Sequence, residues 1–393
     1  MKKVYLDYAA TTPLDPRVLR AMMSYMTEKF GNPSSIHSWG REARMAVEES
    51  RKKMAKILNC QPEEIIFTGT TTTGDNLAIQ GIARAAQKKD QGNHIITSSI
   101  EHHGVLDTCK ALEKQGFQVT YLPVNKDGMV DVKDIEKTIT EKTVLITIMY
   151  ANNEVGTIQP IEEIARWLHG YMVKAKRRVY FHTDAAAAVD YLDIDVQKLG
   201  IDLMTIGAHK FGGPKGIGAL YIRKGTEIEP LTYGGHHEKG LWPGTEAVPL
   251  IVGMAKALEI ADQEKKQAVK KVSKLRDKLI KGLLAKISDS QLTGHPTNRL
   301  PDMASFVIKR VEGEAMLLHL SDQGIAASSG SACTSGVLEP SHVLTAMGIS
   351  PELAHGSLRF SLGKKTTDEE IDYALSVLPR VVERLRKIAP KLS

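Results

Sequence analysis

Between residues 65 and 223, short apolar runs alternate with longer stretches of helical periodicity. The runs are IIFTG from 65, HIITSS from 94, VTYLPV from 119, TVLITIMYA from 143, VYFHTDA from 179, DLMTIG from 202 and GALYIR from 218. They carry the β-branched and aromatic residues that strands favour. Apolar positions at helical spacing predict helices over 75–87, 106–115 and 161–173. Strands alternating with helices predict an α/β domain around a largely parallel sheet, with ligands bound at the carboxyl ends of its strands. Those ends read TGTTTTG, SSIEHH, ANNE, HTDAA and GAHK, all polar or small. Past Gly244 the pattern changes. A long charged helix is predicted over 248–286, its lysines forming a solvated face. Short strands follow at SFVIK from 305, GIAAS from 324 and SLRFSLG from 357, then a closing helix over 368–387. The expected organisation is a large α/β domain over 15–258 and a smaller α+β domain made of 1–14 and 259–393.

Composition narrows the setting. With 393 residues and 42% hydrophobic content, the chain can bury a large core. The three cysteines, Cys60, Cys109 and Cys333, show no C-x-x-C spacing, so neither a disulfide framework nor a zinc knuckle is indicated. A reducing compartment fits this usage. No run approaches the roughly 18 apolar residues of a membrane span, and the first residues lack the apolar stretch of a signal peptide. A soluble cytoplasmic protein is expected, with no membrane attachment. The net charge of +6 suits an acidic protein partner. Without a concentrated basic and aromatic patch it gives no reason to expect direct nucleic-acid binding.

Several of the strand ends carry candidate chemistry. FTGTTTTGDNLAI, from 67, follows a strand and opens a helix, where backbone N–H groups and threonine hydroxyls make an anion cradle. The spacing Gly69 to Gly74 half-matches a nucleotide P-loop, but Asp75-Asn76 replaces the obligatory Lys-Ser/Thr and would repel a triphosphate. A threonine-capped helix start is the plainer alternative. GAHKFGGPKGIGALY puts Lys210 at a strand end before a glycine-rich turn, where a crowded amine can form Schiff bases with carbonyl compounds. VYFHTDAAAAVD puts Asp184 among alanines, a costly place for a carboxylate unless a cation or donor meets it. Cys333 lies in SSGSACTSG, either an inert loop thiol or a carried reactive sulfur. A Cys–His hydrolase would leave Lys210 and Asp184 unexplained. The pairs His102-His103 and His236-His237 lack a third and fourth ligand at metal-site spacing, so no metal is expected.

Taken in order along the chain, YLDYAATTPLDPRV, FGNPSSIHSWGREAR, EHHGVLDT, ANNEVGTIQPIEEIA, HTDAA, AHKFGGPKGIGALY, VEGEA, SSGSACTSGVLEPSHVLTAMG and LRFSLG resemble the cysteine desulfurases of the NifS/IscS type. These are class V aminotransferase-like enzymes with the type I pyridoxal-phosphate fold. The long loop around Cys333 matches that branch and not the SufS branch. The resemblance implies that Lys210 binds pyridoxal 5'-phosphate as a Schiff base and Asp184 holds its pyridine nitrogen. His102 would stack on the ring and move protons, and Asn153 would reach the ring hydroxyl. Thr72 and His209 would hold the phosphate, with Thr245 of a neighbouring subunit in a homodimer. Arg359, helped by Asn32, would grip the substrate carboxylate. Cys333 would take the sulfur of L-cysteine as a persulfide, release L-alanine and pass the sulfur to an acceptor such as an IscU/NifU-type scaffold, for iron–sulfur clusters or tRNA thiolation. A shifted substrate such as selenocysteine, or a weakened paralogue serving as a binding scaffold, are the alternatives.

The departures from the family pattern cluster around the cofactor. The usual Glu after the cradle threonine is Thr73, and the usual Gln three residues after the aspartate is Ala187. The Ser/Thr hydroxyl that normally stands three residues before the lysine is Gly207, the usual Arg-Ser pair is Trp242-Pro243, and the usual Tyr is Gly212. Each lost charge-assisted hydrogen bond is worth about 1.5–3 kcal/mol. A looser or shifted cofactor is therefore expected unless the extra threonines compensate.

Overall fold

The computed structural model describes residues 2–330 and 339–388, so Cys333 lies outside the described residues. The chain starts with a short strand, β1 (Val4–Tyr5), then α1 (Pro16–Thr27) and α2 (Ser38–Leu58). Asp15 caps α1 by accepting from the Arg17 N–H, and α2 stops where Asn59 turns left-handed at φ 56°. The alternating region follows as β2 (Ile65–Thr68), α3 (Thr71–Lys88), β3 (His94–Ser98), α4 (His103–Glu113), β4 (Gln118–Leu122) and α5 (Val132–Thr138). It continues as β5 (Thr143–Thr147), α6 (Ile161–Ala175), β6 (Tyr180–Asp184), α7 (Val196–Leu199), β7 (Leu203–Gly207) and β8 (Gly218–Ile222).

These strands form one sheet in the order β2-β8-β7-β6-β5-β3-β4. Only β8 runs against its neighbours, β2 and β7; the other pairings are parallel. Both faces are covered, which is why the strands read as unbroken apolar runs. Successive residues point to opposite sides. Ile66, Ile95, Leu145 and Leu203 pack with α3 and α4 side chains such as Leu77, Ile82 and Val105. Phe67, Ile96, Ile146 and Met204 pack on the other face with Met54, Ile164, Leu168 and Leu258.

The start of α3 lies ahead of its apolar periodicity, because a capping box sets it. The Thr73 N–H donates to Thr70 Oγ1 at 3.1 Å, and the Thr70 N–H donates to Thr73 Oγ1 at 2.9 Å. That reciprocal pair satisfies two donors of the first turn without any hydrophobic contact.

The next helix, α8 (Val248–Lys286), runs for 39 residues, about 58 Å at 1.5 Å per residue. Its first half buries Ile251, Met254 and Leu258 in the core of the large sheet. Its second half buries Leu275, Leu279 and Leu283 in a separate core. The rest of that second core comes from β9 (Ser290–Thr293), β10 (Met303–Ile308), α9 (Gly313–Asp322), β11 (Ile325–Ala326), β12 (Ser357–Ser361) and α12 (Asp368–Ile388), whereas α10 (His342–Ala346) and α11 (Pro351–Ala354) pack Val343, Leu344 and Ala354 against Ile100, Met149 and Val155. Here β12-β10-β9 form an antiparallel sheet, and β1 pairs in parallel with β11, bringing Val4 and Leu6 into the same core. The strand β9 has no counterpart among the sequence expectations, because SQLT is too short and too polar to announce itself. No helix among the described residues is long and apolar enough to cross a membrane.

The connection from β8 to α8 is pinned by one buried ion pair. Arg51 on α2 donates to both oxygens of Glu238, at 2.7 and 3.0 Å, and Glu238 also accepts from the Phe67 N–H at 2.8 Å. The two side chains are only 9% and 2% exposed. Removing the carboxylate leaves the buried guanidinium with only the half-exposed Glu48, 3.4 Å from its Nε, as counter-ion. Glu238→Ala is expected to cost about 3–5 kcal/mol in urea denaturation. A loss below about 1 kcal/mol, the range of exposed pairs, would show that the pair holds nothing.

Candidate active site

The carboxyl ends of the parallel strands gather polar groups that apolar cores normally exclude. Beyond β3, Glu101 is 1% exposed and accepts from Ser98 Oγ at 2.5 Å and, through both oxygens, from the Met149 N–H at 3.0 Å. Burial pushes its carboxyl up to about 8. The next residue, His102, caps α4, its Nδ1 accepting from the Gly104 N–H at 3.0 Å. That bond leaves the proton of the neutral ring on Nε2. Burial lowers the His102 pKa, with the Lys210 charge adding to the shift and the Asp184 charge opposing it.

At the end of β6, Asp184 is 7% exposed and its Oδ1 accepts from the Ala186 N–H at 2.8 Å. Burial raises its pKa, and the charges of His102 and Lys210 pull it back down. In the first turns of α3, Asp75 is fully buried, and burial with the Asp184 charge holds its carboxyl well above the usual range. A row of polar groups crosses the sheet beneath this pair. His182 meets Thr147 Oγ1 at 2.8 Å through Nδ1 and Thr205 Oγ1 at 2.9 Å through Nε2.

Lys210 closes a short turn, Ala208–Lys210, after β7. Its Nζ donates to the carbonyls of Ala9 and Ala10, at 2.5 and 3.1 Å. The same N-terminal segment binds the flanks of the turn. Thr12 donates to the His209 carbonyl through N and Oγ1 and accepts from the Gly212 N–H, and Thr11 Oγ1 lies 3.2 Å from His209 Nδ1. Burial brings His209 down to about 4, so its ring is neutral.

From the second core, Arg359 on β12 reaches toward the same segment. It donates through Nη2 to Asp7 at 3.1 Å and through Nη1 to the Asn153 carbonyl at 2.8 Å. Its Nε is buried with no hydrogen-bond partner. Gly330 and Ser341, which flank the segment carrying Cys333, both sit against Glu154. Ser341 Oγ donates to Glu154 Oε2 at 2.5 Å, and a Cβ built on Gly330 would lie 2.9 Å from that oxygen. The other thiols are unreactive by environment: burial pushes Cys60 and Cys109 each up to about 12.

The expected residues thus divide. Electrostatics couple His102, Asp184 and Lys210, and the N-terminal segment joins Lys210 and His209 to Arg359 and, through it, Asn153. Thr72 lies in the first turn of α3, exposed, its carbonyl accepting from Asn76. Asn32 and Thr245 are exposed and make no hydrogen bond to that cluster among the described residues. A cavity of about 220 Å³ opens beside Lys210, with Ala187, Gly212, Tyr8 and Tyr191 on its wall. Two of the positions that depart from the family pattern therefore border open space. The sequence assigns no role to Asp7 or Glu101, and Asp75 enters it only as the acid that excludes a nucleotide P-loop.

The aminotransferase class-V family model matches residues 4–374. A protein called cysteine desulfurase IscS from Dictyoglomus turgidum is 51% identical over 389 residues, covering 99% of this chain and 97% of its own. Among solved structures, one titled NifS-like protein superposes with a TM-score of 0.91 at 40% identity, covering 98% of this chain and 100% of its own. Another, titled SspA in complex with cysteine, gives a TM-score of 0.79 at 36% identity, covering 93% and 100%.

Burial takes the His182 pKa from 6.5 down to about 3. An unfolded imidazole binds a proton as pH falls through 6.5, while the folded one refuses it until about 3, so stability drains away between those values. Urea midpoints measured from pH 7 to 4 are expected to fall more steeply for the native chain than for His182→Gln. Parallel slopes would mean that this imidazole is not the acid-sensitive group.

Proposed function

The chain belongs to the class-V aminotransferase family, among its cysteine desulfurases, and from that premise we propose how its own residues divide the work. The activity is pyridoxal-phosphate-dependent conversion of L-cysteine to L-alanine with transfer of the sulfur. The residues present fit that cofactor. A buried acid at the end of β6, Asp184, offers its carboxylate where a protonated pyridine nitrogen needs one. The first turn of α3 offers N–H groups to a phosphate, and the neutral His209 ring stands beside the lysine turn. The unpartnered Arg359 Nε offers a donor to a carboxylate.

In this reading Lys210 holds the cofactor through its amine, Asp184 and Asn153 hold the ring, and Thr72 with His209 holds the phosphate. When bound, the group supplies an electron sink for the amino acid's α-carbon. Arg359, with Asn32, fixes the substrate carboxylate. His102 keeps its Nδ1 tied to Gly104, so its Nε2–H is the group left to donate toward the reacting atoms. The Cys333 thiolate attacks the substrate sulfur, and an S–S bond forms while the Cβ–S bond breaks with its electron pair staying on carbon. Protonation of that carbon gives alanine, and Cys333 is left as a persulfide, a state that a second thiol reverses.

The observation that carries this reading is the meeting of both flanks of the Cys333 segment at Glu154, the residue next to Asn153: Ser341 bonds to it and Gly330 approaches it closely. It ties the thiol's anchor to the same corner as Arg359. The subunit is proposed to work as a homodimer, with Thr245 serving a neighbour. An apolar stripe on α1, Leu19, Met23 and Met26, is left exposed at helical spacing and continues to Phe30, which is 70% exposed. Such a stripe calls for a protein partner. The sulfur acceptor is proposed to be a scaffold of the IscU/NifU kind, reached in the cytoplasm.

Alanine and sulfide released from L-cysteine test the reading directly. Cys333→Ser should keep the cofactor's visible absorbance but form no persulfide, and Lys210→Ala should lose that absorbance. Unchanged sulfide release by Cys333→Ser would remove the thiol from the mechanism. Arg359→Lys should raise the KM for L-cysteine by about tenfold or more, because an ammonium cannot meet a carboxylate through two parallel bonds. An unchanged KM would assign the carboxylate to another residue.

A further inference from the structure

Gly207, the last residue of β7, has no room for a side chain. A Cβ built there would lie 2.1 Å from Thr71 Oγ1 and 3.8 Å from Cδ2 of His209. The hydroxyl of Thr71 therefore occupies the volume that a side chain at 207 would fill. That hydroxyl oxygen is buried and has no hydrogen-bond partner. A buried hydroxyl left unpaired costs free energy, so this one implies a partner that arrives with a ligand.

Its neighbours are spoken for. Thr70 and Thr73 bond to each other in the capping box, and Thr68 Oγ1 donates to the Thr70 carbonyl. Thr71 is also the first residue of α3, where the N–H groups of the first turn have no carbonyl one turn back. An unpaired hydroxyl, helix-start N–H groups and the neutral His209 ring are thus neighbours at one spot. All are donors suited to an anion.

We infer that Thr71 Oγ1 is a further side-chain donor to the cofactor's phosphate, beside Thr72 and His209, replacing a hydroxyl at position 207 that this chain lacks. The inference rests on the cofactor reading above. The hydroxyl has moved from the end of β7 to the start of α3, and the glycine at 207 is what makes space for it. The two positions are one exchange, and neither can be altered alone without loss.

The test uses protein stripped of cofactor and titrated with pyridoxal 5'-phosphate or with pyridoxal, which lacks the phosphate. Thr71→Val keeps the shape and removes only an unpaired hydroxyl, so without cofactor it should melt at or above the wild-type temperature. It should bind the phosphorylated form about tenfold or more weakly, the scale of one lost charge-assisted hydrogen bond, and bind pyridoxal unchanged. Gly207→Ser alone should also weaken the phosphorylated form, since its Cβ would press on Thr71. The pair Thr71→Ala with Gly207→Ser should restore affinity by returning a hydroxyl to the same volume. Unchanged affinity in Thr71→Val, or an equal loss for pyridoxal, overturns the inference. If wild-type protein takes up neither compound, the cofactor reading itself falls, a result separable from either of those.

Discussion

Charge without water is the constraint on which the site rests. Asp75, Glu101 and Asp184 are held within 7% exposure at the carboxyl ends of a sheet whose two faces are packed with aliphatic side chains. Burial raises the pKa of all three. A protein keeps such acids only where donors or a positive guest offset the desolvation. Glu101 is satisfied internally, by Ser98 and the Met149 N–H, and so belongs to the scaffold. Asp184 has one backbone donor and, around it, the charge of Lys210 and the imidazole of His102. In the proposed reading, a positively charged pyridine ring is the guest that offsets this acid's desolvation.

The second organising feature is the N-terminal segment. It is short and irregular, yet Asp7 accepts from Arg359, Ala9 and Ala10 accept from Lys210, and Thr12 brackets the lysine turn. It thereby stitches a side chain of the second core to the strand ends of the first. Its two-residue strand, β1, is anchored by pairing with β11. Positioning here comes from main-chain carbonyls and one acid, contacts that the amine and the guanidinium would exchange for those of cofactor and substrate in the proposed reading.

What the sequence revealed follows from what each signal measures. Hydrophobic runs report burial, and every strand expected between 65 and 223 is present because a sheet covered on both faces demands such runs. The long helix over 248–286 was legible end to end, since its amphipathic spacing persists throughout. Periodicity set the start of α3 too late, because Thr70 and Thr73 define it through polar bonds that apolar spacing does not register. The lysine, aspartate, histidine and arginine of the site were legible as residues in familiar company. Asp7 and Asp75 were not, because their roles come from contacts across 352 residues of chain in one case and from total burial in the other. Gly207 read as a lost contact, and only the space around it shows that Thr71 had taken that volume.

Helix α8 gives the molecule a property that no single contact carries. One continuous rod is embedded at one end beside Leu258, in the body that holds the amine, and at the other beside Leu279, in the body that holds the guanidinium. The span between those two grips is a caliper whose jaws share a spine. In the proposed reading of Lys210 and Arg359, that stiffness sets the separation at which an amino acid's nitrogen and carboxylate are gripped, and leaves its side chain to be chosen by other groups.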